Sequence, residues 1–301
     1  MIIGLIGTII GLAMLIWGAN LLVDGAAGLA KKAGINGHII GVTLVATATS
    51  LPELATAVSA TIRGNHAIAM GNVVGSNAFN VGIVLAVGVI ILPIVSDKLV
   101  IRDGWVVIIS TIIFALFALG GIERWQAGIL LMIYLVYVFY LYRSTKIEPE
   151  VTTESKRYFA LALMLIVGCA LLFAGSPILV ISAERLSEKI GVEDSVIALT
   201  LIALGTSLPE LLTAVIAAIK GHEGIAIGNV LGSNLFNILL IPGVAALIHP
   251  LDIDAKLAGA LIPAMLLITL IGVVLSRKKM GRKEGILLLV SYMFFLVLIF
   301  T

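Results

Sequence analysis

The chain carries the same passage twice. ATSLPELATAVSATIRG (48–64) returns as GTSLPELLTAVIAAIKG (205–221), and IAMGNVVGSNAFN (68–80) returns as IAIGNVLGSNLFN (225–237), without a gap, at an offset of 157 residues. About half the positions agree between 31–93 and 188–250. The agreement includes Pro, Glu, Asn, Ser and Gly as well as Leu and Val, so shared hydrophobicity does not produce it. Such a chain folds as two related units, and the outer segments, which have drifted, must still serve both.

What surrounds the two copies decides the solvent. Of the 301 residues, 60% are apolar and 12% charged, against roughly 25% charged in a soluble domain. A membrane-crossing helix needs about 20 mostly apolar residues. Breaking the sequence at charges, Gly and Pro leaves ten such stretches, near 2–23, 39–62, 67–93, 104–121, 126–142, 158–183, 195–219, 224–248, 257–276 and 285–300. No period-two alternation of membrane length occurs, which excludes a β-barrel. The first stretch lacks a basic leader and is too long for a signal peptide, so it counts as a span. The balance of 19 Lys+Arg against 17 Asp+Glu offers no basic face for nucleic acid, and the single cysteine, Cys169, excludes a disulfide or thiolate–metal framework.

Five spans per copy is an odd number, so the second copy enters the membrane from the opposite side. The fold class expected is all-α integral membrane, ten transmembrane helices as two inverted five-helix repeats. Residues 1–142 form the first repeat, 143–157 a cytoplasmic linker and 158–301 the second repeat. Fourteen Lys and Arg fall in loops on one side and five on the other. The rule that basic loops stay inside then places the linker in the cytoplasm and both termini outside, in a cell membrane. Inverted repeats with a polar site where they meet at the midplane characterise many secondary transporters.

Two acids lie deep in spans, Glu53 and Glu210, at the same place in the two copies of Thr-Ser-Leu-Pro-Glu. An ionisable group at the bilayer centre costs about 2.5–3.5 kcal/mol on insertion scales, and no Lys or Arg lies in a span to neutralise either. The alternative, two protonated carboxyls held for packing, does not explain why the pair is duplicated. A cation is the missing partner. Pro52 and Pro209 each lack an N–H and free the carbonyl four residues back, of Ala48 and Gly205. Thr49 and Ser50 share a face with Glu53, as Thr206 and Ser207 do with Glu210. On the next span Asn72, Ser76 and Asn80 recur every fourth residue, mirrored by Asn229, Ser233 and Asn237, with G-x-x-x-G (Gly71 and Gly75, Gly228 and Gly232) alongside for close packing. Carboxylate, hydroxyl, amide and carbonyl oxygens suit a hard cation such as Ca²⁺ or Na⁺, and two carboxylates match one Ca²⁺ in charge.

The doubled T-S-L-P-E followed by G-N-x-x-G-S-N-x-x-N resembles the α-repeats of the cation/Ca²⁺ exchanger superfamily, in its Na⁺/Ca²⁺ exchanger branch. The detailed match covers 31–93 and 188–250. The resemblance implies an antiporter, not an enzyme, that exchanges Na⁺ for Ca²⁺ by alternating access, with four ion sites clustered at the centre. It implies Glu53 and Glu210 as the principal Ca²⁺ ligands, helped by the main-chain carbonyls of Thr49 and Thr206. Na⁺ sites would involve Ala46, Ser50, Ser76, Ala203, Ser207 and Ser233, with Asn80 and Asn237 lining the middle. Asn237 stands where K⁺-dependent relatives typically carry aspartate, and T-S-x-x-E stands where the H⁺-coupled branch usually has G-N-x-x-E. Both differences favour Na⁺ coupling. An H⁺/Ca²⁺ antiporter and a cation channel are the competing readings. No cofactor and no protein partner are implied beyond the ions and the bilayer. Asp24 is expected as an interfacial anchor, His38, His66, His222 and His249 as solvated loop residues, and Cys169 as a small buried apolar group.

Overall fold

The computed structural model describes residues 2–95, 97–144, 155–190 and 194–300, and leaves the side chains at 2–3, 155–157, 184, 186–190, 194–204 and 300 outside the description. Most of the linker, 145–154, and the side chain of Ala203 therefore lie outside the described residues. The described chain is helical throughout, in the order α1 (Ile2–Ala33), α2 (Gly37–Thr49 and Leu51–Ile62, bent by 44°), α3 (His66–Ile91), α4 (Lys98–Ala118) and α5 (Arg124–Ser144). There follow α6 (Ser155–Ile190), α7 (Asp194–Ile219), α8 (Glu223–Ile248), α9 (Leu257–Leu275) and α10 (Arg282–Phe300). Among the described residues seven of these are long and apolar enough to cross a membrane, and the bent α2 makes an eighth. The other two are α7, whose described apolar part is the shorter Gly205–Ile219, and α10, which opens on Arg282, Lys283 and Glu284. Large apolar side chains such as Met132, Leu135, Val136 and Phe139 on α5 face outward, as they must where lipid is the solvent.

Local chemistry sets the ends. Asn65 accepts the Ile68 N–H to cap α3, Asp97 accepts that of Val100 to cap α4, and Asp254 accepts that of Leu257 at the start of α9. α2 and α7 are each followed by a glycine with positive φ, Gly64 (72°) and Gly221 (74°). These are the same position in the two copies, a conformation that a side chain would strain.

α1 and α6 pack antiparallel at their closest. A Cβ added to Gly18 would stand 2.9 Å from the Gly168 carbonyl, and one added to Gly175 would stand 3.2 Å from that of Gly11. As numbers rise along α1 they fall along α6, and Gly11 and Gly18 are the positions that Gly168 and Gly175 occupy in the other copy. Two isolated bridges repeat the pattern: Ile94 pairs with Met280, and Leu251, which matches Ile94 in the second copy, pairs with Ile122.

Candidate ion-binding site

α2, α3, α7 and α8 carry the polar residues, and the site forms where they meet. The chain of α2 breaks at Ser50, with Pro52 the second residue of the following helix. α7 stays helical through Pro209. The two prolines thus act unequally, where the sequence predicted equal breaks. The carbonyls they free are both met from α6: Ser176 donates to Gly205 O at 2.8 Å, and Cys169 Sγ lies 3.9 Å from Ala48 O. Cys169 is half-buried at this carbonyl, where an inert apolar role was expected. Ser176 itself is buried, and losing its hydroxyl removes the partner of the carbonyl that Pro209 frees. Ser176→Ala is expected to cost about 1–3 kcal/mol, read as an earlier thermal transition of the protein in detergent.

Glu53 and Glu210 are both fully buried, and serines of the opposite copy hold them. Ser50 donates to Glu210 Oε1 at 2.9 Å, and Ser207 Oγ lies 3.1 Å from Glu53 Oε1 and 2.9 Å from Ser76 Oγ. Each serine precedes its own glutamate by three residues, so the two carboxylates face each other across one small cluster. Among the described residues, Glu53 Oε2 and Glu210 Oε2 have no hydrogen-bond partner, and neither does either amide atom of Asn80 and of Asn237. Thr49 donates to Asn229 Oδ1 at 3.1 Å and comes within 3.4 Å of Ser233 Oγ, while Thr206 donates to Asn72 Oδ1 at 3.2 Å. Ala46 is buried on the same segment, and its carbonyl accepts the Ser50 N–H at 3.0 Å. Hydrogen bonds thus link Ser50 to Glu210, Ser207 to Glu53 and Ser76, Thr49 to Asn229, and Thr206 to Asn72, while Asn80 and Asn237 are buried without a contact of this kind among the described residues. Among the described residues no three His, Cys, Asp or Glu gather as a metal-holding group. Any cation here must complete its shell from hydroxyl, amide and carbonyl oxygens.

α3 turns from α-helix to π-helix at Asn80–Leu85, and α8 does so at Phe236–Leu240 around Asn237. Single π turns of this kind re-aim a helix and commonly mark functional positions. Nothing in the residue pattern announced them. The close packing of G-x-x-x-G is seen at the second copy: a Cβ on Gly228 would stand 2.5 Å from His38 O, and one on Gly232 would stand 2.6 Å from Ala46 Cβ.

The site is open on one side. A cavity of about 590 Å³ runs from Arg63 and Asn65 past Ser59, Thr56 and Pro52 to Thr206, walled on its other face by Ser176 and Ile181 of α6. Thr213, which corresponds to Thr56 in the second copy, is fully buried. At the opposite end Lys220 bonds Asp24 at 2.7 Å, tying α1 to the end of α7. The corresponding positions, Arg63 and Ile181, line the open cavity instead. Asp24 is thus a paired residue and not a simple interfacial anchor.

His38 corrects the sequence reading. It is buried and donates or accepts through Nε2 with Asp103 Oδ2 at 2.8 Å, and Arg102 Nε meets Asp103 Oδ1 at 2.6 Å. Asp103, placed by sequence at a span end, is fully buried. The partners are 65 residues apart, so only the packing of α2 on α4 reveals the pair. His66 is also mostly covered, its ring 5.0 Å from that of His249, which is exposed.

The sodium/calcium exchanger protein family matches residues 3–143 and 160–301 of the chain. The sodium/calcium exchanger MaX1 of Methanosarcina acetivorans is 33% identical over 97% of both chains. The inner membrane protein YrbG of Escherichia coli is 29% identical over 97% of this chain and 95% of its own. A solved structure of the sodium-calcium exchanger NCX_Mj superposes with a TM-score of 0.90 and 28% identity, covering 99% of this chain and 98% of that one. With almost its whole length matched, and with two buried glutamates facing each other through the serines of opposite copies, the chain belongs to the sodium/calcium exchanger family.

Proposed function

We infer that this protein is an electrogenic antiporter that exchanges Na⁺ for Ca²⁺ by alternating access. In this reading it is a set of ten transmembrane helices in two inverted five-helix repeats, seated in the cell membrane with both termini outside. The observation that carries it is the state of the carboxylates. Among the described residues, each has one oxygen bonded to a serine of the other repeat and one without a partner, and no ion pair to either is formed. An unpartnered carboxylate oxygen in a dry interior is costly, and a cation passing through answers it.

Ca²⁺ binds Glu53 and Glu210 together, with the main-chain carbonyls of Thr49 and Thr206. Na⁺ ions take the positions around Ala46, Ser50, Ser76, Ala203, Ser207 and Ser233, sharing both glutamates. Asn80 and Asn237 supply amide oxygens in the middle. Because both ions use the same carboxylates, they exclude each other, which makes the exchange obligatory. A Ca²⁺-loaded site with two carboxylates is neutral, whereas three Na⁺ leave one positive charge, so each cycle moves net charge. The cavity at Arg63 faces outward in this orientation, and the Asp24–Lys220 pair closes the cytoplasmic side.

The test is ⁴⁵Ca²⁺ uptake into Na⁺-loaded proteoliposomes at fixed pH, with external Na⁺ varied and the membrane potential clamped or free. Uptake that needs internal Na⁺, falls as external Na⁺ rises and responds to potential is the expected result. Uptake driven by a pH gradient with Na⁺ equal on both sides would replace Na⁺ by H⁺ as the coupled ion. Flux indifferent to both gradients would make the protein a channel.

A further inference from the structure

The two asparagines that open the polar stripes behave differently from the two that end them. Asn80 and Asn237 have both amide atoms unpartnered among the described residues. Asn72 and Asn229, although as deeply buried, are engaged at both ends. Asn72 Nδ2 donates to the main-chain carbonyl of Glu53 at 3.1 Å, while its Oδ1 accepts the hydroxyl of Thr206 at 3.2 Å. Asn229 Nδ2 donates to the carbonyl of Glu210 at 3.4 Å, while its Oδ1 accepts the hydroxyl of Thr49 at 3.1 Å. Each amide therefore joins the backbone of its own repeat's glutamate to the threonine of the other repeat.

We propose that Asn72 and Asn229 are positioning residues that set the spacing of the two carboxylates, and through it the affinity for the divalent ion. Both polar ends of each amide are engaged by protein, which fixes the side chain between the two groups it joins. What they fix is the relation between a glutamate and the threonine across the interface. Two such links, running in opposite directions, hold α2 against α7 at the level of the site. A divalent ion that must reach both carboxylates at once, at about 2.3–2.6 Å, depends on that spacing. A monovalent ion that draws on fewer charged oxygens depends on it less. The proposal rests on the exchange reading above, and it makes a prediction that reading alone does not. Asn72 acts with Thr206, and Asn229 with Thr49, each across the repeats and not within one.

A double-mutant cycle in proteoliposomes tests this, measuring the Ca²⁺ half-saturation and the maximal rate separately. Asn72→Ala is expected to raise the Ca²⁺ half-saturation about tenfold, with maximal rate and Na⁺ half-saturation changed less than twofold, and Thr206→Val is expected to raise the Ca²⁺ half-saturation by a similar factor. The double variant N72A/T206V should be no worse than either single, whereas N72A/T49V should show the product of both effects. Thr206→Ser, which keeps the hydroxyl, should restore the wild-type value, and this arm stands even if Asn72→Ala fails to fold. Ca²⁺-dependent thermal shifts of the purified variants give the same ranking without flux. Multiplicative effects for the crossed pair, a fall in maximal rate at unchanged half-saturation, or no rescue by serine would overturn the proposal. A wild-type protein without Na⁺-dependent Ca²⁺ uptake would instead remove the reading on which it rests.

Discussion

Glu53→Gln and Glu210→Gln are each expected to abolish Ca²⁺ transport, to below a hundredth of wild type, in a protein that still folds. Glutamine keeps the shape and the contact with the opposite serine, Ser207 or Ser50, and removes one charge. At about 4 Å and an effective dielectric of about 20, a single charge pair is worth about 4 kcal/mol, and a divalent ion loses about twice that before relaxation and desolvation reduce it. The lower figure alone weakens binding about a thousandfold. Stability of the ion-free protein should hold or rise, because a buried charge without a partner has been deleted. The measurement is paired: ⁴⁵Ca²⁺ uptake, and the thermal transition in detergent with and without Ca²⁺. Variants that fold, and whose transition Ca²⁺ no longer raises, are the expected outcome. Robust uptake by both single variants would contradict the assignment of the carboxylates.

Gly232→Val is expected to cost as much by another route. α8 crosses the first half of α2 so closely that an added Cβ at Gly232 would stand 2.6 Å from Ala46 Cβ, and closer still to the Val42 carbonyl. Ala46 and Thr49 lie on that same segment, and Ser233 and Asn237 on α8. Forcing the helices apart therefore moves two walls of the site at once. Overpacking alone costs typically about 1–3 kcal/mol, and here the displaced atoms include main chain, which cannot change rotamer to escape. The variant should lose at least tenfold in exchange rate and melt earlier. Gly128→Ala serves as the control, since Gly128 is exposed on α5, no described atom lies within 4 Å of a Cβ there and alanine favours the helix. It should leave both readouts within twofold of wild type. Equal damage from the two substitutions would show that the close approach at Gly232 has no bearing on function.

Much of this was legible in the residues because membrane physics restricts the choices. Long apolar runs mark helices, and Glu53 and Glu210 stand out because lipid penalises them. Thr49, Ser50, Ser76 and their mates followed from helical spacing alone. The rest depends on tertiary placement. His38 reads as a loop residue until α4 brings Asp103 against it. Ser176 and Cys169 look like ordinary residues of an apolar helix until α6 lays them on the carbonyls freed by Pro209 and Pro52. The π turns at Asn80 and Asn237 leave no periodic trace. Nor could a repeated sequence show that the two copies differ in shape. That difference lies in a bend at Ser50 without an equal at Ser207, in Thr56 lining a cavity while Thr213 is sealed, and in an Asp24–Lys220 bond whose counterpart positions stand open.

The central claim is that one cation sits between Glu53 and Glu210. It is tested most directly by a density map of the protein soaked in Sr²⁺, a heavy stand-in for Ca²⁺. The account predicts a single strong peak touching carboxylate oxygens of both residues, near the 2.3–2.6 Å typical of Ca²⁺ ligation, that fades as Na⁺ is raised. A peak on one carboxylate only, or two carboxyls bonded to protein with no peak between them, would contradict it.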